Sequence, residues 1–363
     1  MPATLSSTRA FAAQRLLNQG IARPRHRRAV DVVEWLGAVQ AQEYEPAKWA
    51  LGLRMREGAE ADVQRALDQG RILRTHVMRP TWHFVSAADI RWLQMLTAPR
   101  VQRMVAPQYR RLELDAATLR RATVVFERSL RDRQYLTRAE LSDRLARAGL
   151  AISGQRLAHA AMHAELEGLI CSGPRRGKQS TYALVSERAP AARELSRDEA
   201  LEELTGRYFR SHGPATVRDF VWWSGLTSAD TRRGLDMIRA TRRDIDGYSY
   251  WTAPPGKVRE QPADLVHLLP IYDEYVVAYR DRALVPHGPP QIAATPGHSV
   301  TFRHSLVSAG AIVGTWQVAR SSASQSISVT SLRPLTARER RGVMDAAASY
   351  ERFAGVPIAA AIA

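Results

Sequence analysis

Apolar and polar positions recur along this chain in a block that is written three times over its first ~255 residues. In the first copy, Thr8 to Asn18 has helical spacing and Gly20 ends it. Val30 to Leu36 carries apolar residues at 32, 33 and 36, and Asp62 to Asp68 is a short third helix closed by Gly70. Ile72 to Val77 and Thr81 to Val85 then alternate as two strands across an Arg79-Pro80 tip. In the second copy, Leu119 to Arg131 is a helix, Thr137 and Glu140 cap Ala139 to Arg147, and Gly154 to Glu167 is a third helix. Its strands are Leu169 to Ser172 and Thr181 to Val185, joined by Gly173-Pro174-Arg175-Arg176-Gly177-Lys178-Gln179. The third copy has Asp198 to Ser211, a helix capped by Thr216 and Asp219 and ended by Gly225, Ala229 to Ala240, and strands Arg243 to Ile245 and Tyr248 to Trp251 around Asp246-Gly247.

Helix, helix, helix, hairpin is the winged-helix order, in which the third helix can enter a DNA groove and the hairpin tip reaches phosphate. Leu136-Thr137-x-x-Glu140-Leu141 matches Ala215-Thr216-x-x-Asp219-Phe220, and each is followed by a Gly-Leu pair, Gly149-Leu150 twelve residues past Thr137 and Gly225-Leu226 nine past Thr216. After Pro254-Pro255-Gly256 the pattern changes. Leu265 to Leu269, Tyr275 to Tyr279, Val300 to Val307, Ile312 to Val318 and Ser326 to Ser331 read as strands, with turns at Gly310 and Ser321-Ser322-Ala323-Ser324. Thr336 to Phe353 is a final amphipathic helix. The expected fold is α+β: three tandem winged helices at 1–116, 117–194 and 195–258, then an antiparallel β domain at 259–363.

Composition narrows the function classes. At 363 residues, with 45% hydrophobic and 24% charged residues, the chain reads as a folded protein of several domains. No apolar run is long enough for a membrane helix, and no signal-peptide core opens the chain. One Cys excludes a disulfide framework and a thiolate metal site. No phosphate-binding glycine loop or nucleophile elbow is present. A cytoplasmic protein without metal or cofactor is expected. The net charge is +16, and 49 of the 52 cationic residues are Arg. Thirteen of those sixteen net charges lie in residues 1–194, which points to a polyanionic partner.

Gln40-Ala41-Gln42 is the sharpest candidate for chemistry. In an extended segment, residues two apart face one side, so both amides point together while Ala41 packs inward. Val39-Gln40-Ala41-Gln42-Glu43, Arg79-Pro80-Thr81-Trp82-His83-Phe84-Val85, His212-Gly213-Pro214-Ala215-Thr216, Trp222-Trp223-Ser224-Gly225-Leu226 and Gly314-Thr315-Trp316 together resemble the AlkZ-like DNA glycosylases. The resemblance spans nearly the whole chain, and the order of motifs is more specific than any one of them. It implies tandem winged helices around a concave DNA channel, a following β-rich domain, and a Gln-hydrophobic-Gln signature falling on Gln40 and Gln42. One branch of the family carries Asp at the second position; this chain has Gln.

Two amides suit this chemistry. A purine alkylated at N7 is already cationic and leaves without a proton donor, unlike an ordinary glycoside. The protein then has to orient water and stabilise an oxocarbenium-like sugar, which amide dipoles can do. Glu43 is a candidate general base beside them, though a solvated surface Glu is the commoner role. Arg79, His83, Arg156, Arg175, Arg176, Lys178 and Arg303 are the candidate DNA contacts; His83 could instead satisfy a backbone carbonyl. Trp82 and Trp222-Trp223 read as core. Tyr272-Asp273-Glu274 before Arg280-Asp281-Arg282 reads as an ion-pair network, or more weakly as a glycosidase acid–base pair. The expected protein is a monofunctional, metal-independent glycosylase acting as a monomer, nucleoid-associated, on duplex DNA with alkylated or crosslinked purines. Both amides should open into a concavity and the hairpin tips should face solvent. The rival is a non-catalytic winged-helix regulator, which needs no such amide pair.

Overall fold

The computed structural model describes residues 5–245, 247–254, 266–280, 303–320 and 325–362. Asp246, Pro255, Gly256, Leu265, Asp281, Arg282, Val300 and the expected turn at 321–324 lie outside the described residues. In chain order the elements are α1 Leu5–Asn18, α2 Ala29–Leu36, β1 Val39–Gln40, α3 Tyr44–Gly52, α4 Glu60–Asp68, β2 Ile72–Val77 and β3 Arg79–Ser86. Next come α5 Ile90–Arg111, α6 Ala116–Leu130, β4 Leu136–Thr137, α7 Arg138–Arg147, α8 Gly154–Leu166, β5 Ile170–Ser172, β6 Thr181–Leu184 and α9 Val185–Arg188. Then follow α10 Arg197–Ser211, α11 Val217–Ser224, α12 Ser228–Met237, β7 Thr241–Ile245 and β8 Tyr248–Thr252. The chain closes with β9 Val266–Leu269, α13 Glu274–Val277, β10 Ser305–Ser308, β11 Ala311–Arg320, β12 Gln325–Ser331, α14 Ala337–Ala354 and β13 Ile358–Ile362.

Contacts divide the chain into two compact units: Met1–Gln64 with Thr205–Trp223 and Ser228–Ala363, and Arg65–Leu204 with Ser224–Thr227. Neither coincides with one of the four expected segments.

In the second unit, β2 and β3 form an antiparallel hairpin with a bulge at His76/Val77. It turns at Met78, whose φ is 63°, one residue before the expected Arg79-Pro80 tip. Gly225 lets the chain pass this turn: its φ is +71°, and a Cβ there would sit 2.1 Å from the Met78 carbonyl oxygen. α5 is a 22-residue helix between the first two sequence copies, with Pro99 and Pro107 inside it, that the repeat pattern does not include. The helices α6 to α8 and the sheet β4-β6-β5 close one core around Phe126, Leu141, Leu145, Leu157 and Ile170. The capping box opening α7 forms with both of its bonds, Thr137 Oγ1 accepting from Glu140 N–H and Glu140 accepting from Thr137 N–H.

In the first unit, β9 to β12 are antiparallel neighbours, but β13 joins β12 in parallel. The C-terminal sheet is therefore mixed, not antiparallel throughout as expected. A second correction concerns 275–279, which read as a strand. The Asp273 carboxylate accepts from Tyr275 N–H and starts the short helix α13 instead. Asp273 is itself held bidentately by Arg54, with both N–O distances 2.8 Å and both side chains shut off from solvent.

At the far end of this unit, Thr336 and Glu339 cap α14. Glu339 also accepts from Arg333 at 2.6 Å and 2.9 Å and from Ser308 on β10 at 2.9 Å. The Arg333 guanidinium, with further donors from Thr336 and Ser308, holds the Glu339 carboxyl at about 2, below its ordinary 4.5.

Two stability outcomes follow from these pairs. Arg54→Met leaves Asp273 buried and uncompensated, and should cost about 3–5 kcal/mol in urea unfolding. A loss within about 1 kcal/mol, the size of a surface pair, would show that Asp273 reaches solvent. Glu339 has a depressed folded pKa, so its contribution is complete above its ordinary 4.5 and is lost as pH falls from there toward 2. The stability gap between the native chain and Glu339→Gln should therefore be constant near neutral pH and close over that acid window. A gap that persists at pH 2 contradicts the pairing.

Candidate active site

Gln40 ends the two-residue strand β1, and Glu43 is the residue preceding α3, so the extended segment is short. Ala41 is fully buried, as the inward position of the pair should be. Gln42 is half-buried and Glu43 exposed. Gln40 is more enclosed than expected, with 9% of its surface exposed. Its main chain is anchored in the interior: the Gln40 N–H donates to Glu274 Oε1 at 2.7 Å.

Glu274 has no exposed surface. Its other oxygen, Oε2, accepts from Trp223 Nε1 at 2.9 Å and stands 3.5 Å from His212 Nε2. Burial lowers the pKa of His212, which favours the neutral ring. His212 stacks on Tyr208 with ring centroids 4.8 Å apart, and its carbonyl accepts from the Tyr279 hydroxyl at 2.7 Å. Tyr279 in turn accepts from Gln19 Nε2 at 3.0 Å, and Gln19 Oε1 accepts from Arg54 at 2.9 Å. The network thus returns to Asp273. Asp273 belongs to the expected ion pair, with Arg54 as its partner. The acid–base reading of Asp273 and Glu274 fails, since both are buried and each serves separate donors.

The candidate DNA contacts fall into three groups. Lys178 and Arg303 are exposed. Arg176 is exposed too, but its guanidinium donates to Glu140 Oε1 at 3.0 Å and Oε2 at 2.5 Å and to the Tyr135 carbonyl at 2.8 Å. This pairing pulls the Glu140 carboxyl down to about 2. Arg175 is half-buried and donates to the Lys178 carbonyl, bracing the loop. Arg79 is half-buried, with Pro80 exposed beside it.

Two further candidates are engaged within the protein. His83 is fully buried and its Nδ1 lies 2.9 Å from the Thr81 carbonyl, so of its two roles the carbonyl contact is the one seen. Arg156 donates to the Ala151 and Glu113 carbonyls, both at 3.2 Å, and closes the turn preceding α8. Among the aromatics, Trp223 is core as expected. Trp222 is 37% exposed, with its Nε1 on the Val277 carbonyl and Arg280 5.2 Å from its ring. Trp82 is half-buried under the Arg74 guanidinium at 4.2 Å.

The expectation of no metal passes over one metal-like spacing, His159 and His163, one turn apart on α8. Both rings stand edge-on to Tyr109, and Gln102 meets His163 Nδ1 at 3.0 Å. Among the described residues no three His, Cys, Asp or Glu are grouped to hold a metal. Nor is any described helix long and apolar enough to cross a membrane.

The family model for AlkZ-like DNA glycosylases matches residues 33–353, and the chain belongs to that family. The interstrand DNA cross-link repair glycosylase of Streptomyces sahachiroi is 24% identical over 307 residues, covering 80% of this chain and 82% of the relative. The solved structure of the Streptomyces sahachiroi DNA glycosylase AlkZ matches with a TM-score of 0.80 at 22% identity, over 100% of both chains, and so shares the fold.

Proposed function

We propose that this DNA glycosylase hydrolyses the N-glycosidic bond of N7-alkylated or crosslinked purines in duplex DNA, with Gln40 and Gln42 as the reacting amides. The observation that carries the reading is the Gln40-Ala41-Gln42 segment, tethered through the Gln40 peptide to a buried carboxylate and lying within the span matched by the family. The relative's crosslink substrate extends to this chain as part of the proposal. In this reading the winged-helix copies at 1–116, 117–194 and 195–258 are sequence repeats distributed over the two compact units. The regulator reading has no use for a tethered amide pair and is not retained.

The step follows from the charge already on the base. Alkylation at N7 leaves the purine cationic, so the C1′–N9 electron pair departs onto a base that becomes neutral. The two Gln carbonyl dipoles stabilise the sugar cation and accept from the attacking water. Water adds to C1′ and loses its proton to solvent or to Glu43, giving an abasic site. The route uses water as its nucleophile, needs no lysine adduct and asks for no metal. Exposed cations at Lys178, Arg303 and the tip around Arg176 supply sequence-independent phosphate contacts, with the half-buried Arg79 and Arg175 as further candidates. Arg176 has to exchange Glu140 for phosphate to take part.

Two measurements test this. Replacing Arg175, Arg176 and Lys178 with Glu should weaken duplex binding on every sequence alike and flatten its salt dependence by up to about three units of slope. A loss confined to one sequence would mark specific readout instead. For the chemistry, Gln40→Ala and Gln42→Ala should each slow base release by about a hundred- to a thousandfold, roughly 2.7–4 kcal/mol, while duplex affinity is kept. Gln42→Asp, the residue of the other family branch, should keep partial activity. Native rates in both alanine variants would remove the amides from the mechanism.

A further inference from the structure

Resting on that reading of Gln40 and Gln42, we propose that Glu274 is a positioning residue for the reaction: its buried carboxylate fixes the Gln40 peptide and thereby aims both amides. The contact is direct, Gln40 N–H to Glu274 Oε1 at 2.7 Å, across 234 residues of sequence. Glu274 cannot touch DNA, since it has no exposed surface. It acts only through what it holds.

The geometry makes Glu274 a rigid holder. Its second oxygen is engaged by Trp223 Nε1 at 2.9 Å, and the Trp223 ring is fully buried and packed on Tyr208 and Phe220. Its backbone opens α13, whose first N–H groups are capped by Asp273, and Asp273 is clamped by the two nitrogens of Arg54. Arg54 also donates to the Gln19 and Ala50 carbonyls, at 3.1 Å and 2.8 Å. Arg54, Asp273 and Glu274 are thus linked to the Gln40 peptide by hydrogen bonds in the interior. Gln42 follows Gln40 through a single buried alanine, so a shift of the Gln40 peptide carries both amides with it. A small displacement of the reacting groups is enough to cost about a hundredfold in rate.

A buried carboxylate would also be missed simply as a structural group, so the test separates the two roles. Glu274→Ala, Trp223→Phe, Glu274→Gln/Trp223→Phe and Gln40→Ala are compared for thermal midpoint, duplex Kd and single-turnover rate on an N7-methylguanine duplex, well below each midpoint. Trp223→Phe removes a donor from the same carboxylate and leaves the bond to Gln40. It should lower the midpoint and slow base release clearly less than Glu274→Ala does, because the bond to Gln40 remains. Glu274→Ala should lower the midpoint too, keep the duplex Kd, and slow base release by about ten- to a hundredfold. In the double variant the new amide oxygen can accept from Gln40 while its NH2 meets no indole donor, so most of the rate should return.

Equal rate losses in Trp223→Phe and Glu274→Ala, a native rate in Glu274→Ala, or no recovery in the double variant would each overturn the positioning role. If Gln40→Ala itself cleaves at the native rate, the reading of the amides fails first. If Gln40→Ala is slow while Glu274→Ala is native, only the positioning role fails.

Discussion

A carboxylate with no access to water, Glu274, sets the constraint on which the candidate site depends. Burying an ionised carboxylate costs several kcal/mol unless its oxygens are satisfied, so the chain has to bring donors to it. It brings the Gln40 peptide to one oxygen and the Trp223 indole to the other. The same logic applies one residue earlier, where Asp273 is matched by Arg54. These two adjacent acids tie together α1 through Gln19, the segment after α2, α11 and the start of α13. They lie far apart in sequence, yet belong to one compact unit. Satisfying that charge helps to fix where the amides sit.

The arginine excess has two uses, and only one of them faces a polyanion. Arg15 is fully buried beneath Tyr279, its Cζ 3.6 Å from the ring centroid, with its Nε on the Pro214 carbonyl. Arg188 ends α4 by donating to the Leu67 and Asp68 carbonyls, and Arg156 closes a turn in the same way. The planar fork of the guanidinium serves orphaned carbonyls where lysine, a point charge, fits less well. Net charge therefore overstates the surface open to DNA. Even at the second hairpin tip, Arg176 rests on the carboxylate of Glu140, which also completes the cap of α7.

Much of the architecture was legible because it is written locally. Capping residues at Thr137, Glu140, Thr216, Asp219 and Thr336 and glycines at 20, 70, 149 and 225 bound their helices where expected. α5 lies outside the three-copy pattern and is held by the burial of Trp92, Leu93 and Val101 despite Pro99 and Pro107 within it. The strand expected at 275–279 was apolar enough, but Asp273 had already committed the backbone to a turn. The Gln pair was legible as a motif, whereas its support was not. Nothing local in Tyr272-Asp273-Glu274 tells which acid meets which donor, because the partners come from residues 40, 54, 212 and 223. Periodicity likewise cannot show that His83 turns inward to Thr81 while Trp82 stays half-exposed.

The central claim is that the leaving base brings its own positive charge, so that amides suffice. It is tested most directly with two duplexes that differ in one atom, one carrying N7-methylguanine and the other its uncharged isostere 7-methyl-7-deazaguanine. Abasic sites are counted under single-turnover conditions across neutral and mildly acidic pH. The account predicts rapid release of the cationic base at a rate without an acid limb, and no release of the isostere. Comparable cleavage of the neutral isostere, or a rate that rises as a group in the protein takes up a proton, would contradict it.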